Sequence, residues 1–311
     1  MESETVDTRR KTKDTRQETQ NRDTSKSLKS LDVERGTTST ISGLEFHIYL
    51  YCFFKGPSSL SPQKGIDGAN DTTEVSYRDL RALVSPVPSD EYNEDTLNRR
   101  ISDLEWLTPK VKRHEEIVRY AMGFHPVIPI RFGTIYATEE RLLQVLRSGC
   151  DEFSSHLDFI NGKEEWGIKV YAGEGAGRKM AEASSEAIGQ LDERISSAAS
   201  SGQAYLLRKK RENLTREQSI GFLSVLSDRI FQQLLSQCVY ARRNKLLSKD
   251  ATGIEGDMIL NAAFLLDKLD VEAFKEEVDA LAASYESDAL YFEISGPWPC
   301  YNFCPDFEAL T

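Results

Sequence analysis

W-L-T-P-K-V-K-R-H-E-E-I-V-R-Y-A-M-G-F-H-P-V-I-P-I-R-F-G-T-I-Y, residues 106–136, joins a helix to a buried strand with almost no linker. Ile117 and Val118 continue an apolar stripe, with His114, Glu115, Glu116 and Arg119 among them at helical spacing. The first half therefore reads as an amphipathic helix opened by Pro109. Pro126 and Pro129 then forbid helix and hold Val127, Ile128 and Ile130 in extended backbone.

Upstream, Leu44 to Phe54 is rich in Ile, Tyr and Phe and stops at Gly56-Pro57, the pattern of a strand. Residues 56–73 cluster Gly, Pro, Ser, Asn and Asp and read as loop. Val75 to Val84 gives a second short strand with a turn, ended by Pro86 and Pro88, and a helical pattern covers Asp95 to Ile117, broken at Pro109. Downstream, a helix from Ala137 to about Leu146 has Thr138 as its N-cap ahead of Glu139 and Glu140. Phe153, Leu157 and Ile160 form one more apolar stripe. Residues 43–163 are thus expected to be an α+β N-terminal domain.

A second domain is expected over 164–311. It opens with Glu165 to Tyr171, where Trp166, Ile168 and Val170 point one way and Glu165, Gly167, Lys169 and Tyr171 the other. A long helical region follows, from about Gly177 to Tyr240, interrupted near Gly202. Thr215 to Gln218 has the T-x-x-Q form of a capping box, a signal for a helix restart. Then come an apolar run at Ile259 to Leu266, a helix from Val271 and a closing strand from Leu290 to Ile294. If Val239 to Leu247 supplies one more strand, the order is that of a ferredoxin-like domain with a long helical insertion, ending in an aromatic and proline-rich tail.

Composition narrows the function classes. The 311 residues are 39% hydrophobic and carry a net charge of −11, which opposes generic attraction to nucleic acid or anionic membrane surfaces. The apolar run around Ile48 to Phe54 is far shorter than the roughly 20 residues of a membrane-spanning helix. Residues 1–42 mix both charge signs and lack an apolar face, so they read as a disordered charged extension without a signal peptide. Five scattered cysteines without a C-x-x-C pair read as reduced cytosolic thiols.

Several stretches invite a chemical reading and fail it. Gly173-Glu174-Gly175-Ala176-Gly177-Arg178-Lys179 lies between a strand and a helix, but has Arg178 where the dinucleotide fingerprint needs its third glycine and lacks a G-K-[ST] ending. It reads as a permissive turn. His114-Glu115-Glu116 begins like H-E-x-x-H, yet Val118 stands at the second histidine position. Cys150 and His156 sit in no nucleophile elbow and read as helix-surface residues. No cofactor is expected. Arg208-Lys209-Lys210-Arg211 is the one basic concentration in the folded region, with a solvated helix face as its plainer reading. Gly296-Pro297-Trp298-Pro299-Cys300-Tyr301-Asn302-Phe303 must place three aromatics, either against the first domain or as an exposed patch.

Taken in order, the 106–136 unit, E-W-G-I-K-V-Y at 165–171 and G-P-W-P-C-Y-N-F at 296–303 resemble the gas vesicle GvpF/GvpL family. Matching pieces also occur at 65–68, 79–85, 204–210 and 261–266, so the resemblance covers about Leu44 to Phe303. The charged N-terminal extension and Cys300 depart from it. The resemblance implies an accessory protein of gas vesicle formation, cytoplasmic and vesicle-associated, without catalytic residues. Its implied partners are the hydrophobic wall protein and other accessory proteins, with self-association left open. The motif or partner-binding candidates are His114, Glu115, Arg131, Phe132, Gly133, Trp166, Arg208, Lys209, Lys210, Pro297, Trp298 and Tyr301. The alternative is a ligand-binding regulatory or enzymatic protein that uses the ferredoxin-like sheet.

Overall fold

The computed structural model describes residues 40–41 and 44–304, with side chains from Glu45 onward. The charged extension falls almost wholly outside the described residues, as do the last residues of the tail. Among the described residues there are two sheets, one of six strands and one of four.

The first sheet is built on β2 (Leu44–Lys55), which follows β1 (Thr40–Ile41). On one side β2 pairs with β4 (Leu80–Pro88), itself paired with β3 (Thr73–Tyr77). On its other side three short strands succeed one another: β1 against 44–45, β6 (Ile135–Tyr136) against 48–49, and β5 (Val127–Pro129) against 52–54. Both faces of β2 are buried, which accounts for its continuous apolar run. A register shift between Leu50 and Cys52 resets the alternation. Tyr49, Tyr51, Cys52 and Phe54 consequently share one core, while Leu50 and Phe53 enter the other.

Helices α1 (Glu94–Arg100) and α2 (Leu104–Met122) cover the tyrosine side, and α3 (Glu139–Ser148) and α4 (Cys150–Ile160) the opposite side. The break between α1 and α2 lies at 101–103, not at Pro109. The Asp103 side chain caps α2 by accepting from the Glu105 and Trp106 amides, and Pro109 sits exposed inside the helix. Pro86 and Pro88, expected to end a strand, lie within β4. They stand beyond the stretch paired with β3, where a missing N–H leaves no ladder partner unmet. Thr138 caps α3 through a bond from the Arg141 amide. Cys150, read as a helix-surface residue, is buried at the start of α4.

The second sheet has the order β10-β7-β9-β8, all antiparallel. Its strands are β7 (Lys163–Ala172), β8 (Tyr240–Arg243), β9 (Asp257–Asp267) and β10 (Leu290–Trp298). Between β7 and β8 run α5 (Ala176–Ser184), α6 (Glu186–Ser196) and α7 (Ser201–Leu235). A short α8 (Lys249–Thr252) precedes β9, and α9 (Val271–Ser284) precedes β10. With α5–α7 counted as one crossover, this is the ferredoxin-like β-α-β-β-α-β order. Trp166, Ile168 and Val170 bury one face of β7 among Leu226, Ile230 and Leu234 of α7 and Phe274, Val278 and Leu281 of α9.

Helix α7 continues through Thr215, which is 4% exposed and caps nothing. The capping box is present as a sequence pattern only, because Leu207, Leu226 and Ile230 keep the helix packed on both sides of it. Gly202 lies in the first turn of α7, just after the Ser200 cap.

Candidate functional site

A network of polar side chains lies at the junction of the two sheets. Beyond β10 the chain turns back and lays residues 299–304 across α2, β7 and β8. The Tyr301 hydroxyl donates to Glu115 Oε2 at 3.1 Å. The Asn302 amide N–H and side-chain N–H groups reach Glu165 Oε2 at 3.0 Å and Oε1 at 2.6 Å. Arg242 donates to the Asn302 carbonyl at 3.2 Å. On α2, Arg119 pairs with Glu115 at 2.9 Å and lays its guanidinium 4.3 Å from the centre of the Trp298 ring. The Trp298 indole N–H is held by Ser295 Oγ at 3.1 Å. Cys300 and Leu265 of β9 join the apolar core under the first sheet, so one cluster spans both sheets.

Glu165 is 3% exposed. Burial pushes its carboxyl up to about 7, opposed by the two Asn302 hydrogen bonds and by Arg242. Burial also raises the Tyr301 hydroxyl and the Cys304 thiol well above their ordinary ranges. The Tyr301 hydroxyl and the Cys304 thiol stay protonated at neutral pH, the first as a donor to Glu115 and the second as buried packing.

Gly296 makes the approach to this junction. Its φ of +146° lies outside the range open to side-chain-bearing residues, and a Cβ there would stand 2.9 Å from Trp166 Cδ2 and 3.0 Å from the Glu165 carbonyl. Pro297 follows it and, with Trp298, borders a cleft of about 270 Å³ between the sheets.

His114 and the Arg131-Phe132-Gly133 turn form a separate internal cluster. His114 is 3% exposed; its Nε2 donates to the Ile130 carbonyl at 2.9 Å and its Nδ1 accepts from the Tyr49 hydroxyl at 3.0 Å. That hydroxyl in turn accepts from the Gly133 amide at 3.0 Å. A backbone carbonyl at Nε2 fixes the neutral tautomer, and burial lowers the imidazole to about 4. Phe132 meets Tyr49 and His114 edge-on. This constellation holds the β5–β6 connection against β2.

Arg208, Lys209 and Lys210 are exposed on α7, away from this junction, while the adjacent Arg211 turns inward to Asp192 and Glu182. The structure thus joins Glu115, Trp298 and Tyr301 at one place, with Pro297 and Trp166 beside them. It leaves the basic run elsewhere. Glu165, Asn302, Arg119 and Arg242 are the junction residues that sequence reasoning passed over. Glu165 stood on the polar face of an alternating strand, so nothing in the local pattern marked it as buried.

The 173–179 turn is a packing element. The Gly173 amide bonds the Ala289 carbonyl at 2.8 Å. Gly177 lets α5 approach α7, since a Cβ there would lie 2.8 Å from Leu223. Among the described residues no group of three or more His, Cys, Asp or Glu is arranged to hold a metal ion, and no helix is long and apolar enough to cross a membrane.

A second surface feature lies on α2. Its outer side carries Leu104 at 70% exposure and Val111 at 42%, and a hollow of about 560 Å³ there is lined by Leu107, Thr108, Val111, Lys112, Glu115, Glu116 and Arg119.

Comparison with known proteins places this architecture. The family described as "Gas vesicle synthesis protein GvpL/GvpF" matches residues 47–305. Gas vesicle protein L of a Streptomyces species is 27% identical over 228 residues, covering 73% of this chain and 80% of the relative. Gas vesicle protein F1 of Halobacterium salinarum is 22% identical over 257 residues, covering 83% and 92%. In fold, the chain is similar to the crystal structure of GvpF from Anabaena, with a TM-score of 0.61 at 19% identity over 84% of this chain and 99% of that one. GvpF from Microcystis aeruginosa gives 0.57 at 20% identity, over 83% and 98%. The chain belongs to the GvpL/GvpF family of gas vesicle synthesis proteins.

Proposed function

We propose that the protein is a non-catalytic assembly factor of the gas vesicle, cytoplasmic and vesicle-associated, that binds the hydrophobic wall protein and other accessory proteins. Family membership supports the setting. The observation that carries the binding role is the outer side of α2, where Leu104 and Val111 stand exposed at 70% and 42% and Val111 lines the 560 Å³ hollow, with Ile101 exposed at 46% just before the helix. Exposed apolar groups rimmed by Lys112, Glu115, Glu116 and Arg119 suit a partner that must hide apolar surface of its own. The Tyr301–Glu115 and Arg119–Trp298 contacts brace the end of this surface. We also infer that residues 43–163 and 164–311 act as two domains, held together by the 299–304 segment.

The test is co-purification with the wall protein, kept soluble as a fusion. Leu104→Glu with Val111→Glu should abolish capture while leaving the melting temperature near wild type, because both side chains are exposed. Because apolar contact dominates, moderate salt should weaken capture little. Unchanged capture by the double variant would remove α2 from the binding surface. Failure of the wild-type chain to capture the wall protein would sink the reading itself.

A further inference from the structure

Helix α7 spans 35 residues, but only its second half lies on the sheet, through Leu226, Ile230 and Leu234. The first half is flanked by α5 and α6. Leu207 is buried on that side, and Arg211 reaches Asp192 and Glu182 across it.

The opposite side is open and ordered in its chemistry. Leu206, Lys209, Asn213, Arg216 and Ile220 are separated by three, four, three and four residues, the spacing of a coiled-coil seam, and all five are exposed. Leu206 and Ile220 are each 67% exposed, and Tyr205 beside the seam is 63% exposed. The seam positions themselves carry no carboxylate, and the exposed Glu212 and Glu217 flank it. Two cations and a central amide sit between apolar ends, on a chain whose net charge is −11.

We propose that this seam docks an amphipathic helix of another protein, with apolar residues at its two ends and carboxylates facing Lys209 and Arg216. The inference rests on the assembly-factor reading for the identity of the system, but uses a surface distinct from α2. Charge selects the partner. In a parallel pair formed with a second copy, Lys209 and Arg216 would each face their own counterparts and Glu212 would face Glu217 along the flank, like charges that are destabilising at such close positions. An acidic helix turns both cations into attractive contacts and can meet Asn213 with an amide that sets the register.

The test uses the full-length protein and a labelled synthetic helical peptide of about three heptads. The peptide places Leu against Leu206 and Ile220, Asn against Asn213, and Glu against Lys209 and Arg216; a control peptide carries Lys in place of those Glu. Fluorescence anisotropy should show the acidic peptide binding at least roughly tenfold tighter than the control at low salt. The double variant Lys209→Glu with Arg216→Glu should reverse the preference, a gain that a misfolded helix would not give. Equal binding of the two peptides, no binding of either, or a preference unmoved by the double variant would each overturn the proposal. A dimer in sedimentation that the double variant dissolves would overturn it in favour of a second copy. Peptide binding at the seam without wall-protein capture by the wild-type chain would leave the seam standing and remove the assembly-factor reading.

Discussion

Asn302 grips Glu165 with both its backbone and its side-chain N–H groups, so each carboxylate oxygen accepts one hydrogen bond, at 3.0 and 2.6 Å. The two residues come from the end of the described chain and from the first strand of the second sheet. The same short segment reaches α2 through Tyr301.

Asn302→Ala leaves one oxygen of a buried carboxylate without its donor. The expected cost is about 1–3 kcal/mol in urea unfolding at pH 7. Asn302→Asp should cost more, because it sets a second carboxyl against the first. A variant as stable as wild type would show that solvent replaces the lost contact.

Glu165 also makes a pH-dependent contribution of definite sign. Its folded-state value of about 7 lies above the ordinary 4.5. Its contribution is therefore fully present below about pH 4.5 and is lost as pH rises through 7, by roughly 3 kcal/mol at most. Stability of the wild type relative to Glu165→Gln should fall across that window and level off above it. A difference that is flat from pH 5 to 8 would place the carboxyl in a solvated setting.

His114 works in the opposite direction. Its folded-state value of about 4 lies below the ordinary 6.5, so its contribution is present above pH 6.5 and lost as pH falls toward 4. Tyr49→Phe removes the hydroxyl that joins Gly133 to His114 and should cost about 1–3 kcal/mol at pH 7.5. Thermal melts at pH 7.5 and 5 check both points, with a His114→Gln variant reporting how much of the acid sensitivity is due to the imidazole.

Gly296→Ala should be the most damaging change near the junction. It combines a φ of +146° with a Cβ placed 2.9 Å from Trp166 and 3.0 Å from a backbone oxygen. A loss of more than about 2 kcal/mol is expected. Intact Arg119–Trp298 stacking in the variant, read from tryptophan fluorescence, would mean that the loop absorbs the strain.

Local patterns made most elements of the fold legible. Strand β2 announced itself by an apolar run, α3 by Thr138, and the second sheet by the alternation of Trp166, Ile168 and Val170. The misreadings share a cause, which is that local signals were judged without their neighbours. Thr215 looks like a cap because the sequence does not show that Leu207 and Ile230 hold one helix on either side of it. Pro86 and Pro88 look like strand breakers because nothing local shows that β3 ends before them. The junction was the least legible part. Glu115, Glu165 and Asn302 are far apart in sequence, and only the return of the chain after β10 brings them together.

That return also ties completion of the fold to the order of synthesis. The groups that lock α2 and β7 together, Trp298, Tyr301 and Asn302, are among the last of the described residues to be made. Strand β2, near the beginning, has β4 available early but must wait for residues 127–136 to cover its other side. A nascent chain therefore carries an unpaired strand edge first and an unlocked pair of sheets afterwards, both open to wrong association until residues 298–302 have emerged. Ribosome stalling or truncation shortly before Trp298 would release a product with both sheets complete or nearly so, yet without the bonds that fasten one to the other.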